Sequence, residues 1–208
     1  MIPTAIHRLQ AALVEEFRRD ARGPAVARML GRYASGHDDW RRFVLFDPQV
    51  YTRNLVVRNE HFEMLVLCWS AGQASPIHNH AGQHCWMAVL DGEVEETQFA
   101  APADVGPGGL RLGVQRLFRP GQVAYINDDI ALHRVRAAPG CQGVSLHLYS
   151  KPIDVCNIYD EQTGRVAPSR MVYHSIEGVL TGSTGTSGEM GRSLPVGQPG
   201  RALGERFP

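Results

Sequence analysis

The stretch that decides the fold spans residues 75 to 99 and reads SPIHNHAGQHCWMAVLDGEVEETQF. It opens with two histidines one residue apart, His78 and His80, and continues into an apolar run. Residues i and i+2 of a β-strand point to the same face, so both imidazoles can reach one metal ion. Neutral imidazole suits Fe, Zn, Cu or Ni, and a third histidine would still leave coordination positions open for a substrate. An H-x-H pair alone is weak support for a metal centre, so the residues around the pair have to show whether it binds a metal.

The chain around this stretch is typical of many short strands. Apolar runs alternate with turn residues, and 22 glycines and 13 prolines supply the turns. The runs are Leu55–Val57, Phe62–Trp69, Trp86–Leu90, Val94–Phe99, Leu110–Phe118, Val123–Ile126, Leu132–Val135, Val144–Tyr149 and Val155–Tyr159. Asp91-Gly92, between two of them, predicts a hairpin turn. The pattern favours a β-sandwich or a small barrel and does not choose between them.

The two ends of the chain differ from this middle part. An apolar stripe at helical spacing predicts a first helix, Gly23-Pro24 ends it, and a shorter second helix follows. The stripes are Ile2, Ile6, Leu9, Leu13 and Phe17, then Val26, Met29, Leu30 and Tyr33. We therefore divide the chain into a helical cap over residues 1–45, a β-domain over 46–177 and a Gly/Ser/Pro-rich C-terminal extension over 178–208. The extension has too few apolar residues to form a core and is expected to run extended along the body.

Composition excludes several classes of protein. In the 208 residues, 21 basic and 21 acidic side chains give zero formal net charge, which argues against binding nucleic acid through bulk charge. No run of 18 apolar residues predicts a membrane span, and the N-terminus does not read as a signal peptide. The four cysteines show no C-x-x-C spacing, so neither a zinc ribbon nor a disulfide scaffold is expected. The default is a cytoplasmic protein that makes no contact with a membrane.

The frame of the histidine pair resembles the first motif of the cupins, G-x5-H-x-H-x3,4-E-x6-G. Gly72 and Gly92 stand at its two glycine positions, and Cys85 stands where the glutamate ligand is usual. The resemblance implies a mainly β fold, a cupin-type small β-barrel or jelly roll with the helical cap at its N-terminus. A site of three histidines without a carboxylate leaves more positive charge on Fe(II), which favours an anionic ligand such as a thiolate.

Four further blocks resemble the cysteine dioxygenase family, the thiol dioxygenase branch of the cupins. They are YTRNLV at 51–56, LCWSAG at 67–72, AYINDDIALHRV at 124–135 and VSLHLYSKPID at 144–154. Together the matches cover most of residues 45 to 175, and the chain is identified as a bacterial member. The resemblance implies a monomer that holds Fe(II) on His78, His80 and His133. Its substrates would be L-cysteine and O2, and its product cysteine sulfinic acid.

The same resemblance assigns roles around the metal. Arg53, flanked by the matching Tyr51, would bind the substrate carboxylate, because a guanidinium pairs bidentately with a carboxylate. Tyr149 would donate to a bound oxygen or to the substrate, and His147 would orient it. Cys85 matches the cysteine that some members join to this tyrosine by a thioether bond. Ser145 shares the face of His147 and Tyr149 and extends them into a relay.

Three other functions stay open at this point. The nearest is a dioxygenase of another small thiol, such as 3-mercaptopropionate or cysteamine. The resembling enzymes that prefer 3-mercaptopropionate carry glutamine at the place of Arg53, which argues for cysteine. The second is a cupin that binds a metal and a ligand without turnover. The third is a zinc hydrolase, which would need a carboxylate base beside the metal, and none occurs between His78 and Asp91.

Overall fold

The computed structural model describes residues 3–100 and 109–182. Within these ranges the chain forms the helices α1 (Ala5–Arg19) and α2 (Val26–Gly36), a short 3₁₀ helix (Asp39–Phe43) and thirteen strands. The strands are β1 Thr52–Arg58, β2 Glu63–Trp69, β3 Ile77–His78, β4 Cys85–Gly92, β5 Val94–Phe99, β6 Leu112–Phe118, β7 Val123–Ile126, β8 Leu132–Ala137, β9 Gly143–Tyr149, β10 Val155–Tyr159, β11 Val166–Arg170, β12 Ser175–Ile176 and β13 Val179–Leu180.

The strands form two sheets that enclose a common core. The first sheet has the order β13-β12-β1-β2-β9-β4-β7, and the second has the order β11-β10-β3-β8-β5-β6. Both orders end in free edges among the described residues, so the sheets face each other without closing into a barrel. The predicted mainly β, cupin-type fold with N-terminal helices is confirmed, in its open, jelly-roll form.

The central strands of the first sheet are buried on both faces. In β9, Val144, Leu146 and Leu148 belong to the apolar cluster under the helices, while Tyr149 belongs to the cluster between the sheets. Successive side chains of a strand alternate between its two faces, so Ser145, His147 and Tyr149 share the inner face. The alternation therefore directs every polar side chain of this apolar strand into the space between the sheets.

The helical cap covers the outer face of the first sheet. The predicted stripe of α1 is buried from Ile6 to Phe17, whereas Ile2 lies outside the described residues. Gly23 lies in the turn between α1 and α2 and has a φ of +57°, so the break predicted at Gly23-Pro24 is present. Trp40 and Phe43 complete the apolar layer between the helices and the sheet.

The prediction of a hairpin turn at Asp91-Gly92 is wrong. Strand β4 pairs with β7 and β9, whereas β5 pairs with β6 and β8, so the chain crosses from one sheet to the other here. A type I′ hairpin turn needs positive φ at both central residues, and only Gly92 has it, at +66°. A Cβ atom on Gly92 would collide with the carbonyl oxygen of Gln142. The glycine thus allows the close approach at a crossover between the sheets.

The predicted C-terminal extension falls mostly outside the described residues. Its first part forms β13, which pairs with β12 at the edge of the first sheet. Residues 183–208 are not described. None of the described helices combines the length and the apolar character that a membrane crossing requires.

Candidate metal centre and active site

Three histidines converge between the two sheets. His78 ends β3, His133 lies directly opposite it on β8, and His80 follows in the next loop. One ring nitrogen of each lies within 4.8 Å of the others. The Nε2 atoms of His78 and His133 are 3.2 Å apart. The sequence predicted this triad, and the structure brings all three side chains together.

The route by which His80 reaches the triad differs from the prediction. It does not continue a strand with His78, because β3 ends at His78. A tight turn follows, in which Ala81 and Gly82 have positive φ angles of 51° and 77°. The Asp128 carboxylate accepts hydrogen bonds from the backbone N–H groups of His80 and Gly82, at 2.6 and 2.7 Å. Asp128 therefore holds the loop that presents His80.

The chemistry of the triad fits a divalent metal. His80 is fully buried, its Nε2 has no hydrogen-bond partner among the described residues, and its Nδ1 lies 3.6 Å from Oδ1 of Asp128. An unsatisfied buried polar atom costs about 1–3 kcal/mol, so such an atom calls for a ligand. Burial lowers the pKa of His80 to about 4 and that of His78 well below its ordinary value. Both imidazoles are thus neutral near pH 7, which is the form that binds iron or zinc.

A buried carboxylate stands behind His133. Glu96 Oε1 accepts a hydrogen bond from Nδ1 of His133 at 2.8 Å, and both side chains are about 2% exposed. Although burial opposes its ionisation, the bond to His133 holds the pKa of Glu96 below its ordinary value. With the proton fixed on Nδ1, the Nε2 lone pair of His133 faces the centre. Glu96 orients a ligand from behind, so it does not occupy the position of a hydrolytic base.

We expect Glu96→Ala to weaken metal binding about 10- to 100-fold, because the tautomer and orientation of His133 are then no longer fixed. Glu96→Gln should fall between this variant and the wild type, since an amide oxygen can still accept the Nδ1 proton. Titration of apo-protein with Zn²⁺ against a chromophoric chelator measures the affinity. Glu95→Gln is the control, because Glu95 points to the other face of β5 and pairs with Arg136. Equal affinities for all three variants would contradict the role of Glu96.

The predicted substrate-binding side chains line the same space. The guanidinium carbon of Arg53 lies 5.8 Å from the centre of the Tyr149 ring, and that ring lies 6.1 Å from the ring of His80. Tyr51 stacks on Trp69 with ring centres 4.7 Å apart. Burial raises the pKa of both tyrosines, and the charge of Arg53 opposes that rise. Arg53, Tyr149 and the triad therefore form one polar cluster beside the apolar core between the sheets.

The polar side chains of β9 form a chain of hydrogen-bond contacts. The indole N–H of Trp69 donates to Oγ of Ser145 at 2.9 Å, and an indole nitrogen can only donate. Oγ of Ser145 lies 3.0 Å from Nε2 of His147, and Nδ1 of His147 lies 3.5 Å from the Tyr149 oxygen. When Ser145 donates to Nε2, Nδ1 carries the proton that faces Tyr149, and the phenolic proton is free for another group.

Cys85 lies beside Tyr149 on the neighbouring strand. The two are Cα partners in the antiparallel pairing of β4 with β9, and both belong to the core between the sheets. Such partners place their Cβ atoms about 4.5–5.5 Å apart on one face. Cys85 is buried and unpaired with another cysteine, and burial raises the pKa of its thiol.

Sequence reasoning missed three carboxylates of this site, of which Glu63 and Glu96 are buried and Asp128 is partly exposed. Glu96 and Asp128 support metal-binding histidines, and Glu63 accepts a hydrogen bond from Nη2 of Arg53 at 3.2 Å. The available signal was an acidic residue within or beside an apolar run, at a position that alternation turns inward. Trp69 is buried in the core, and it also begins the hydrogen-bond chain to Tyr149.

Comparisons with known proteins agree with this geometry. The family model described as cysteine dioxygenase type I matches residues 1–162. Cysteine dioxygenase type 1 of Homo sapiens is 40% identical over 167 residues, 79% of this chain and 82% of that protein. The protein of the same name from Danio rerio is 36% identical over 184 residues, 87% of this chain and 92% of that protein.

A solved structure of an RmlC-like cupin protein from Desulfovibrio desulfuricans matches with a TM-score of 0.42 and 24% identity, over 56% of this chain and 97% of that one. The family itself rests on the sequence matches, which extend over most of the chain. By these matches, the chain belongs to the cysteine dioxygenase type I family.

Proposed function

We propose that this protein oxidises L-cysteine with O2 to cysteine sulfinic acid at Fe(II) held by His78, His80 and His133. The observation that carries the proposal is a triad of histidines, two of them buried, that lies close to a buried arginine and tyrosine. The names of the human and Danio rerio relatives, both cysteine dioxygenases, support it. Bound iron would supply open coordination positions for the thiolate and for O2. Both oxygen atoms end on sulfur and the thiolate supplies the electrons, so no further reductant is needed.

The protein's own side chains would orient the substrate. Arg53 has a buried Nε–H without a partner among the described residues, and a substrate carboxylate can accept from it. Tyr149 can donate its phenolic proton to an oxygen in the pocket when His147 directs a proton at the phenolic oxygen from behind. Tyr51, stacked on Trp69, would close the apolar wall beside Arg53.

The proposal is tested by anaerobic loading with Fe(II), followed by measurement of oxygen uptake with L-cysteine and mass detection of the product. Stoichiometric cysteine sulfinic acid supports it. Uptake with 3-mercaptopropionate and none with cysteine would keep the metal centre and overturn the substrate. No uptake with any small thiol would favour a cupin that binds without turnover.

We propose further that Cys85 and Tyr149 become joined by a thioether bond. A bond would form between Sγ and the ring carbon next to the phenolic carbon. The thiol hydrogen and one ring hydrogen leave with two electrons, which O2 accepts to give hydrogen peroxide. The register of β4 and β9 supports this pairing, because it makes the two residues direct cross-strand neighbours.

Intact-mass spectrometry of protein turned over with Fe(II) and cysteine should show a mass about 2 Da below the sequence value. Cys85→Ser should abolish the difference, since the new side chain has no sulfur to join. Cys156→Ser is the matched control, because Cys156 is also buried and free but lies on β10. A fully active preparation with an unshifted mass would contradict the crosslink.

The remaining assignments stay predictions from the sequence. We propose a monomer located in the cytoplasm of a bacterium, with no nucleic acid or membrane among its partners. Sedimentation velocity of the iron-loaded chain tests the first of these.

A further inference from the structure

A second arginine contacts the carboxylate that pairs with Arg53. Glu63 is fully buried at the start of β2, and its Oε1 takes the bond from Arg53. Its Oε2 accepts a hydrogen bond from the Tyr173 hydroxyl at 2.6 Å and lies 3.5 Å from Nη1 of Arg58. Nη1 of Arg58 also donates to the Tyr173 oxygen at 2.8 Å. The negative charge of Glu63 is thus shared between two guanidinium groups.

The hydrogen bonds of this cluster are unevenly distributed. Both oxygens of Glu63 are satisfied, whereas Nε of Arg53 is buried without a partner among the described residues. A buried cation with a free N–H is prepared to take a second anion. Burial and the bond to Glu63 raise the pKa of Tyr173 to about 12, so its hydroxyl remains a donor near neutral pH.

The charge balance depends on Arg58. Within this cluster Arg53 and Glu63 alone sum to zero, so a substrate carboxylate added to them would make the local charge of the cluster negative, which is unfavourable in the core. With Arg58 the cluster carries one net positive charge, and the same carboxylate brings it to zero. Arg58 is one-third exposed and also pairs with Asp154, which is 72% exposed and therefore well solvated.

We propose that Arg58, acting through Glu63, sets the affinity of Arg53 for the substrate carboxylate. Arg58 is then a positioning and charge-balancing residue that does not itself touch the substrate. This inference rests on the proposed function, because it takes an amino acid thiol as the ligand. The segment that carries Tyr173 keeps the cluster in place, since the backbone N–H of His174 donates to the carbonyl oxygen of Arg53.

The test measures the Kd of L-cysteine by anaerobic calorimetry on the Fe(II)-loaded protein, together with KM and kcat in air. Arg58→Gln should raise Kd and KM about tenfold with kcat nearly unchanged, because a partly screened charge that acts equally in ground and transition states is lost. Arg58→Lys keeps the charge and should stay within about threefold of the wild type. Asp154→Asn is the matched control and should leave Kd unchanged.

The decisive variant is the double substitution Arg58→Gln with Glu63→Gln. It removes one charge of each sign, so Arg53 plus a carboxylate again sums to zero, and Kd should return to within about threefold of the wild type. A purely structural role of Arg58 predicts the opposite, because a second buried change would weaken binding further. Thermal denaturation of each variant is the check that the variant is folded.

The outcomes separate the two proposals. If the wild type oxidises L-cysteine and Arg58→Gln leaves Kd and KM unchanged, the charge-balance inference is overturned and the function stands. If the wild type binds L-cysteine without oxidising it, the function fails, and the Kd values of the wild type and its four variants still decide the inference. A wild type that does not bind L-cysteine overturns both.

Discussion

Arg53→Gln should lower kcat/KM for L-cysteine about 100-fold or more, because a buried charge-assisted contact to the carboxylate is worth about 1.5–3 kcal/mol for each hydrogen bond. The loss should appear mainly in KM, since the carboxylate is bound alike in the ground state and the transition state. The substrate preference of the variant should shift toward 3-mercaptopropionate, because the resembling enzymes that prefer this thiol carry glutamine at the place of Arg53. Steady-state oxygen uptake with both thiols measures the ratio.

Two controls define this experiment. Arg53→Lys keeps the charge but loses the planar fork, so it should lie between the wild type and the glutamine variant. Arg41→Gln changes an arginine that is 62% exposed and should behave as the wild type. An unchanged preference for cysteine in Arg53→Gln would remove Arg53 from the substrate-binding set.

His133→Ala should abolish iron binding and oxygen uptake together. The triad loses the ligand whose Nε2 stands opposite His78, and two imidazoles alone hold Fe(II) weakly. It also leaves Oε1 of Glu96 buried without its donor, although Gln98 still bonds to Oε2, and an unsatisfied buried polar atom costs about 1–3 kcal/mol of stability. Iron content by colorimetric assay and Tm in the metal-free state measure the two effects separately.

The double variant His133→Ala with Glu96→Ala separates metal loss from misfolding. It removes the orphaned carboxylate, so Tm should recover toward that of the metal-free wild type while iron binding stays lost. His84→Ala is the control, because His84 bonds to Tyr125 outside the triad and should keep full iron content. Iron retained by His133→Ala would contradict the three-histidine centre.

Alternation within strands explains why much of the site can be predicted from sequence. Ser145, His147 and Tyr149 share a face by spacing alone, and the structure places them in one hydrogen-bond chain. The same rule predicted that His78 and His80 meet, and they do, but a turn held by Asp128 positions His80 in place of the expected strand. Local spacing predicts which side chains can cooperate, and it is less informative about the backbone that joins them.

What sequence could not predict is the set of contacts between strands. Glu96 lies 37 residues from His133, and Asp128 lies 48 residues from His80. Periodicity turns Glu96 inward, while Asp128 lies in the turn between β7 and β8, and neither observation says which histidine the carboxylate meets, because that depends on the strand order. The hairpin at Asp91-Gly92 failed for the same reason, since a favourable turn pair does not reveal that its two flanking strands belong to different sheets.

The hydrogen-bond chain behind Tyr149 has a closed inner end. It begins at the indole of Trp69, which is 1% exposed and has no lone pair available to take up a proton. The chain therefore cannot conduct protons to bulk water through its inner end. A proton that a bound thiol or ammonium group gives up has to leave the site by a route that does not pass through Trp69.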